Sequence, residues 1–341
     1  MNLEILLSTA RAMVAKGKGI LAMDESSPTI AKRFKKVGID DNVDNRRSYR
    51  ELLLATPGLS NYISGAILFD ETLRQTTAAG VPFAKYMGSQ GIIPGIKVDT
   101  GAKDMAGFPG EKITEGLDGL RERLHEYKSM GARFCKWRAV ITIGAGIPTS
   151  ACIHANAEAL ARYAALCQEA DLVPIVEPEV LIDGDHSIER CYDVTNTTLR
   201  VVFERLASHR VAFEGMVLKA SMVLSGLSAS QRAGVEAVAD WTVRCLRNTV
   251  PPAVAGVAFL SGGQSNEDAT AHLNTMNVKY KNLPWPLTFS YSRALQQPVM
   301  EAWRGKSTNA GAAQKQLLHR ARLNGAAATG SYSTQMEREA A

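Results

Sequence analysis

Eight short apolar runs recur along the chain, each with a charged or hydroxyl side chain at or next to its end. They are "GILAMD" (19–24), "YISGAILFD" (62–70), "IIPGIKVD" (92–99), "ARFCKWR" (132–138), "LVPIVEPEV" (172–180), "EGMVLK" (214–219), "AGVAFLS" (255–261) and "PLTFSYS" (286–292). Helical patterns lie between them, among them "GLDGLRERLHEYKSMG", "HANAEALARYAALCQEA" and "RAGVEAVADWTVRCLRN". Apolar strands alternating with helices predict a parallel sheet covered on both faces. Eight such units with no Pro/Ser-rich linker predict a single (β/α)8 TIM barrel. The alternative, a doubly wound open sheet, wants a glycine-rich nucleotide turn after its first strand. After Asp24 the chain reads "ESSPTIAKR", with no GxGxxG. The barrel is expected over residues 1–330, preceded by an amphipathic N-terminal helix in "MNLEILLSTARAMVAKGKG". A helix in "AAQKQLLHRARLNG" follows, and the small, polar residues 331–341 are expected to form a mobile C-terminal tail.

The strand ends carry the chemistry. Lys136 to Glu177, Glu177 to Lys219 and Lys219 to Ser261 are 41, 42 and 42 residues apart. One βα unit per step returns each residue to the same end of a barrel, the end where active sites are built. Lys136/Arg138 and Glu177/Glu179 are pairs two residues apart, so each pair shares one face of its strand. One charged strand end reads as a solvated edge. A succession of them, with Asp24, Lys97, Lys136, Glu177 and Lys219 converging, reads as a site.

Lys219 ends the run in "FEGMVLKASMVLSG". An ammonium in apolar surroundings is costly unless paired or deprotonated. A neutral amine there attacks a ketone to give a carbinolamine and then an iminium. A glutamate such as Glu177 supplies the acid that removes water. The iminium accepts the electron pair of a cleaved carbon–carbon bond, and Asp24 is placed to take the hydroxyl proton. That is Schiff-base aldol chemistry, needing neither metal nor cofactor. The six histidines sit singly, without an HxxH or HxxxH pair, and "DGDHS" (183–187) reads as a polar loop.

Two stretches suit phosphate. In "LSGGQSNEDA", Ser261, Gly262 and Gly263 form a turn of open N–H groups, Ser265 caps the next helix, and Arg293 follows the eighth run. After Asp24 come Ser26, Thr29, Lys32 and Arg33, which with Lys97 and Arg138 make a second basic group. Two anion sites flanking one lysine suggest a bisphosphorylated sugar. A net charge of +5 over 341 residues fits local basic pockets and gives no nucleic-acid footprint. Five cysteines without a CxxC pair fit a reducing compartment, and no apolar run is long enough to span a bilayer. The expectation is a cytoplasmic protein with no membrane or nucleic-acid partner.

The chain resembles the class I fructose-bisphosphate aldolases. The resemblance rests on "GKGILAMDES", "PGIKVDTG", "FCKWRAV", "VPIVEPEVL", "MVLK", "AFLSGGQS" and "TFSYSRALQ", in family order over about residues 1–330. It implies a (β/α)8 barrel, a homotetramer, and reversible cleavage of fructose 1,6-bisphosphate to dihydroxyacetone phosphate and glyceraldehyde 3-phosphate. It implies Lys219 as the Schiff-base lysine, Glu177 as the main proton-transfer group with Glu179 as its neighbour, and Lys136 as an aid to carbinolamine formation. Asp24 would act on the hydroxyl of the cleaved bond. Ser261, Gly262 and Arg293 would hold one phosphate, and Lys97, Arg138, Ser26 and Thr29 would lie near the other end of the sugar. The chain departs from the family at Ala220-Ser221, usually proline and asparagine, and at Ser292, often glycine or alanine. It also reads "EREAA" where animal and plant members have a terminal tyrosine, and Tyr332 is no obvious equivalent, so release of the bound carbanion is expected to rely on another acid or to be slower. Rival readings are a sedoheptulose-bisphosphate-preferring aldolase, a transaldolase or pyruvate-type aldolase, and a non-catalytic barrel scaffold. The last would be expected to have lost one of Asp24, Lys136, Glu177 and Lys219.

Overall fold

In the computed structural model, which describes residues 1–339, the eight apolar runs form eight parallel strands. They are β1 (Gly19–Ala22), β2 (Ile63–Leu68), β3 (Ile93–Lys97), β4 (Phe134–Ile141), β5 (Val173–Val180), β6 (Val217–Ala220), β7 (Val257–Phe259) and β8 (Leu287–Tyr291). The order is sequential, and β1 closes on β8 with Ile20 opposite Ser290 and Leu21 opposite Tyr291. This is the expected (β/α)8 barrel. The helices that bear on the site are α1 (Leu3–Met13), α2 (Ser27–Lys36), α3 (Val43–Leu54), α4 (Leu120–Ser129), α5 (Ser150–Glu169), α6 (Ile188–Ser208), α7 (Val235–Thr249), α8 (Asn266–Lys279), α9 (Arg293–Trp303) and α10 (Ala310–Ala327). Thr149, Ser187 and Ser265 cap α5, α6 and α8 by accepting an amide hydrogen two or three residues into each helix.

The period-two alternation of the strands separates two cores. Outward residues such as Cys135 and Trp137 are buried under the helices, and the Trp137 and Tyr163 rings lie 5.5 Å apart. Inward residues Ile20, Ala22, Ile67, Phe134, Val173, Ile175, Val217 and Ala258 fill the barrel. Leu6, Ala10 and Met13 of α1 join that inner cluster, so the N-terminal helix plugs the bottom of the barrel. Two residues further along the same strands, the inward positions become Asp24, Lys136, Glu177 and Lys219.

Two features depart from the sequence reading. An antiparallel hairpin pairs Gly101–Asp104 with Lys112–Glu115 above β3. Its strands are four residues long and polar, so no apolar run betrays them. The C-terminal segment is docked rather than free as far as residue 339. Tyr332 is buried, its N–H donates to Asn274 on α8 at 3.0 Å, and its hydroxyl donates to Glu337 at 2.9 Å. Buried Arg320 of α10 pairs with Glu337 at 2.6 Å. One aromatic ring and two ion pairs, the second between Arg322 and Glu339 at 3.0 Å, anchor a segment whose average composition is polar. No described helix is long and apolar enough to cross a membrane.

The inner packing leaves no space beside Phe134. A Cβ added at Gly95 would lie 2.1 Å from that ring. Gly95→Ala should therefore destabilise the fold by about 1–3 kcal/mol through overpacking, read from denaturant midpoints. Adding Phe134→Leu should recover part of the loss.

Candidate active site

A cavity of about 640 Å³ opens at the carboxyl ends of the strands. Asp24 reaches it just past β1, Lys97 ends β3, Lys136 and Arg138 project from β4, Glu177 and Glu179 from β5, and Lys219 from β6. Ser26 and Thr29 come from the start of α2, Ser261 and Gly262 from the turn after β7, and Arg293 from the first position of α9. The barrel thus gathers residues spread from 24 to 293 into one wall. Gly263 is the exception among the expected residues. It is not part of the cavity lining and packs instead toward Ile182 and Leu227, whose side-chain carbons would lie 3.0 and 3.1 Å from a Cβ there.

The floor of the cavity is an alternating row of charges. Lys136 Nζ lies 2.7 Å from Asp24 Oδ2 and 3.4 Å from Glu177 Oε2. Lys219 Nζ lies 3.0 Å from Glu177 Oε1. Lys136, Glu177 and Lys219 are 4%, 2% and 4% exposed, so these pairs are largely removed from water. Burial alone would raise the pKa of Asp24, but Lys136, then Lys219 and Lys97, outweigh it and hold the carboxyl at about 2. Burial would likewise strip Lys136 of its proton, but Asp24, Glu177 and Asp99 reverse that and raise its pKa above the ordinary lysine value. Lys219 does not face Lys136 as one bare cation faces another, because Glu177 bridges them.

The flanking groups are also paired. Arg138 bonds Glu179. Lys97 pairs with Asp99 at 2.6 Å, and Asp99 accepts the Arg138 amide hydrogen at 3.2 Å. On the α2 side, the Ser26 and Thr29 hydroxyls lie 3.1 Å apart beside the first turn of the helix. Arg293 donates to the Gly262 carbonyl. Burial first, and then the charge of Arg33, push its pKa down.

Ser221 now has a physical role. Its hydroxyl accepts the Val180 N–H at 3.1 Å and donates to the Val180 carbonyl at 3.0 Å. The paired register of β5 and β6 stops at Val176 and Leu218, so this side chain laces the strands where ladder bonds are missing. Glu25, Asp99, Ser290 and Ser292 belong to the site or its wall, and the sequence reading gave them no role there. Glu25 had a signal, being the second acid of "MDES" at a strand end. Ser290 offers none.

Comparison with known proteins decides the family. The family model described as fructose-bisphosphate aldolase class-I, glycolytic, matches residues 5–341. The chain belongs to the class I fructose-bisphosphate aldolase family. As such it is a lyase. It is 61% identical to a protein named probable fructose-bisphosphate aldolase class 1 of Xanthomonas campestris pv. campestris, over 97% of this chain and 99% of that one. It is 51% identical to fructose-bisphosphate aldolase 4, cytosolic, of Arabidopsis thaliana, over 96% of this chain and 83% of that one. Among solved structures, that of fructose-bisphosphate aldolase from Plasmodium falciparum, in complex with TRAP and a small-molecule inhibitor, superposes with a TM-score of 0.95. It is 50% identical and covers 97% of this chain and 95% of that one.

The charged floor of this aldolase has a measurable signature in acid. The Asp24 pKa is about 2 in the folded protein, against 3.8 for an ordinary aspartate. A depressed carboxyl stabilises the fold above its unfolded value, and that contribution is lost as pH falls through the folded one. Between about pH 4 and pH 2 the protein should lose about 2 kcal/mol from this group. Asp24→Asn should lack that part of the acid dependence, measured as unfolding free energy against pH.

Proposed function

We propose that Lys219 forms the Schiff base through which this aldolase cleaves fructose 1,6-bisphosphate, with Glu177 as its proton partner. The observation that carries this is the 3.0 Å contact between Lys219 Nζ and Glu177 Oε1 deep in an apolar barrel. Moving a proton from lysine to glutamate turns two buried charges into two neutral groups, a change that desolvation favours. The freed amine then attacks the C2 ketone. Glu177 returns the proton to the carbinolamine hydroxyl, which leaves as water.

Asp24 takes the proton of the C4 hydroxyl as the C3–C4 bond breaks. The electron pair of that bond passes to the iminium nitrogen, giving an enamine, and glyceraldehyde 3-phosphate departs. Lys136, held between Asp24 and Glu177, offers its hydrogens to the developing oxygen charges. Protonation at C3 and hydrolysis release dihydroxyacetone phosphate and free Lys219. Glu179 orients Arg138. Ser261, Gly262 and Arg293 hold one phosphate, and Ser26, Thr29, Lys97 and Arg138 receive the other end of the sugar. We take residues 1–330 as the catalytic unit, working as a cytoplasmic homotetramer.

Incubation with dihydroxyacetone phosphate followed by borohydride should label Lys219. An adduct elsewhere, or none, overturns the assignment. Lys219→Met should fold normally and give no adduct, and Glu177→Gln should lower kcat by 10²–10⁴-fold, the usual range for a proton-transfer group. The Tyr332 hydroxyl is engaged by Glu337, which supports a different acid for C3. Tyr332→Phe should leave proton exchange on the bound triose phosphate unchanged, as followed by deuterium uptake.

A further inference from the structure

Glu25 follows Asp24 directly and is 7% exposed, yet its carboxylate turns away from the charged floor. Oε1 accepts from Arg33 of α2, from the Ser292 hydroxyl at 2.7 Å and from Gln296 at 2.7 Å. Oε2 accepts from Arg50 of α3 at 3.1 Å. Arg50 also donates to the Met23 carbonyl at 2.9 Å and the Glu25 carbonyl at 3.0 Å, fixing the backbone on both sides of Asp24. Ser292 in turn accepts from Arg33 at 3.0 Å and from Gln296 at 3.1 Å.

The two ends of this network lie in different places. Arg33 is on the helix whose first turn carries Ser26 and Thr29. Ser292 is the residue before Arg293, which holds the Gly262 turn. Arg33 and Arg293 place two like charges on the lining of one cavity. A buried carboxylate between their supports neutralises Arg33 and fixes its guanidinium. Without it, the Arg33 side chain, which lines the cavity, would lose its fixed position.

We propose that Glu25 is a positioning residue that ties the two phosphate subsites together, with Ser292 as the hydroxyl that closes the tie. The proposal rests on the subsite assignment made above. Its consequence is selectivity. Holding Arg33, on the helix that begins at the Ser26–Thr29 subsite, and the Arg293 segment in fixed places along one cavity favours a substrate with a phosphate at each end over one with a single phosphate.

The test compares kcat/KM for fructose 1,6-bisphosphate and fructose 1-phosphate in the full-length enzyme. Ser292→Ala should lower the bisphosphate-to-monophosphate ratio about tenfold, the equivalent of one charge-assisted hydrogen bond, mainly through KM for the bisphosphate. Ser292→Thr, which keeps the hydroxyl, should restore most of the ratio, and Glu25→Gln should lower it as Ser292→Ala does. In an Arg33→Ala background the Ser292→Ala effect should vanish, because the two act as one unit. Equal losses on both substrates would mean a merely structural role and would overturn the proposal, as would independent, additive effects of Ser292→Ala and Arg33→Ala. A wild-type enzyme indifferent to the second phosphate would overturn the subsite assignment and the proposal with it. A wild-type preference that Ser292→Ala leaves intact would overturn the proposal alone.

Discussion

Everything at the mouth of this barrel depends on the row Asp24, Lys136, Glu177 and Lys219. Two ammonium groups and two carboxylates alternate at contact distances of 2.7, 3.4 and 3.0 Å. Each charge is buried to a degree that no single ion would tolerate, and each is made tolerable by its neighbours. Removing one leaves an uncompensated charge rather than a simple gap. The row demands that four strands end at the same height. β4 and β5 meet that demand with eight consecutive pairs, which put Lys136 opposite Ile175 and Arg138 opposite Glu177. Below it, the apolar plug from α1 and the inner strand residues keeps water out of the barrel. The row therefore sits at the boundary between a dry interior and an open cavity, where the attraction between neighbouring charges is least screened.

The parts of the molecule that were legible in the sequence are those with a period. Strand alternation places Lys136 and Arg138 on one face, and the spacing of about 42 residues places Lys136, Glu177, Lys219 and Ser261 at one end. Both rules are local, so one sequence suffices to apply them. The hairpin at Gly101–Asp104 escapes because its strands are short and polar and owe their pairing to neighbours. The docking of Tyr332 escapes because composition averages over a segment, whereas one ring and the Arg320–Glu337 and Arg322–Glu339 pairs hold it. Gly263 was grouped with Gly262 by adjacency, but a turn of two glycines directs its residues differently, and only Gly262 has the left-handed φ of +55°. The contact between Glu25 and Ser292 spans 267 residues and follows no spacing rule.

Ser221 and Ser292, both just past strand ends, share a physical logic. Parallel strands in a barrel splay as they leave the sheet, and their last backbone groups lose ladder partners. At β6 the Ser221 hydroxyl serves both the N–H and the carbonyl of Val180 on β5. At β8 the Ser292 hydroxyl reaches Glu25 past the end of β1. The bottom of the barrel is laced in the same way. The Ser64 hydroxyl donates to the carbonyls of Met13 and Gly19, and Thr288 donates to that of Lys18. Short hydroxyl side chains thus add bonds to backbone groups at both rims. At the upper rim the consequence reaches beyond stability. β5 carries Glu177 and β6 carries Lys219, so the bond from Ser221 to Val180 fixes the relative height of the two groups whose 3.0 Å contact anchors the row. A residue pair that looked like an unexplained change beside the key lysine is part of what holds that lysine to its glutamate.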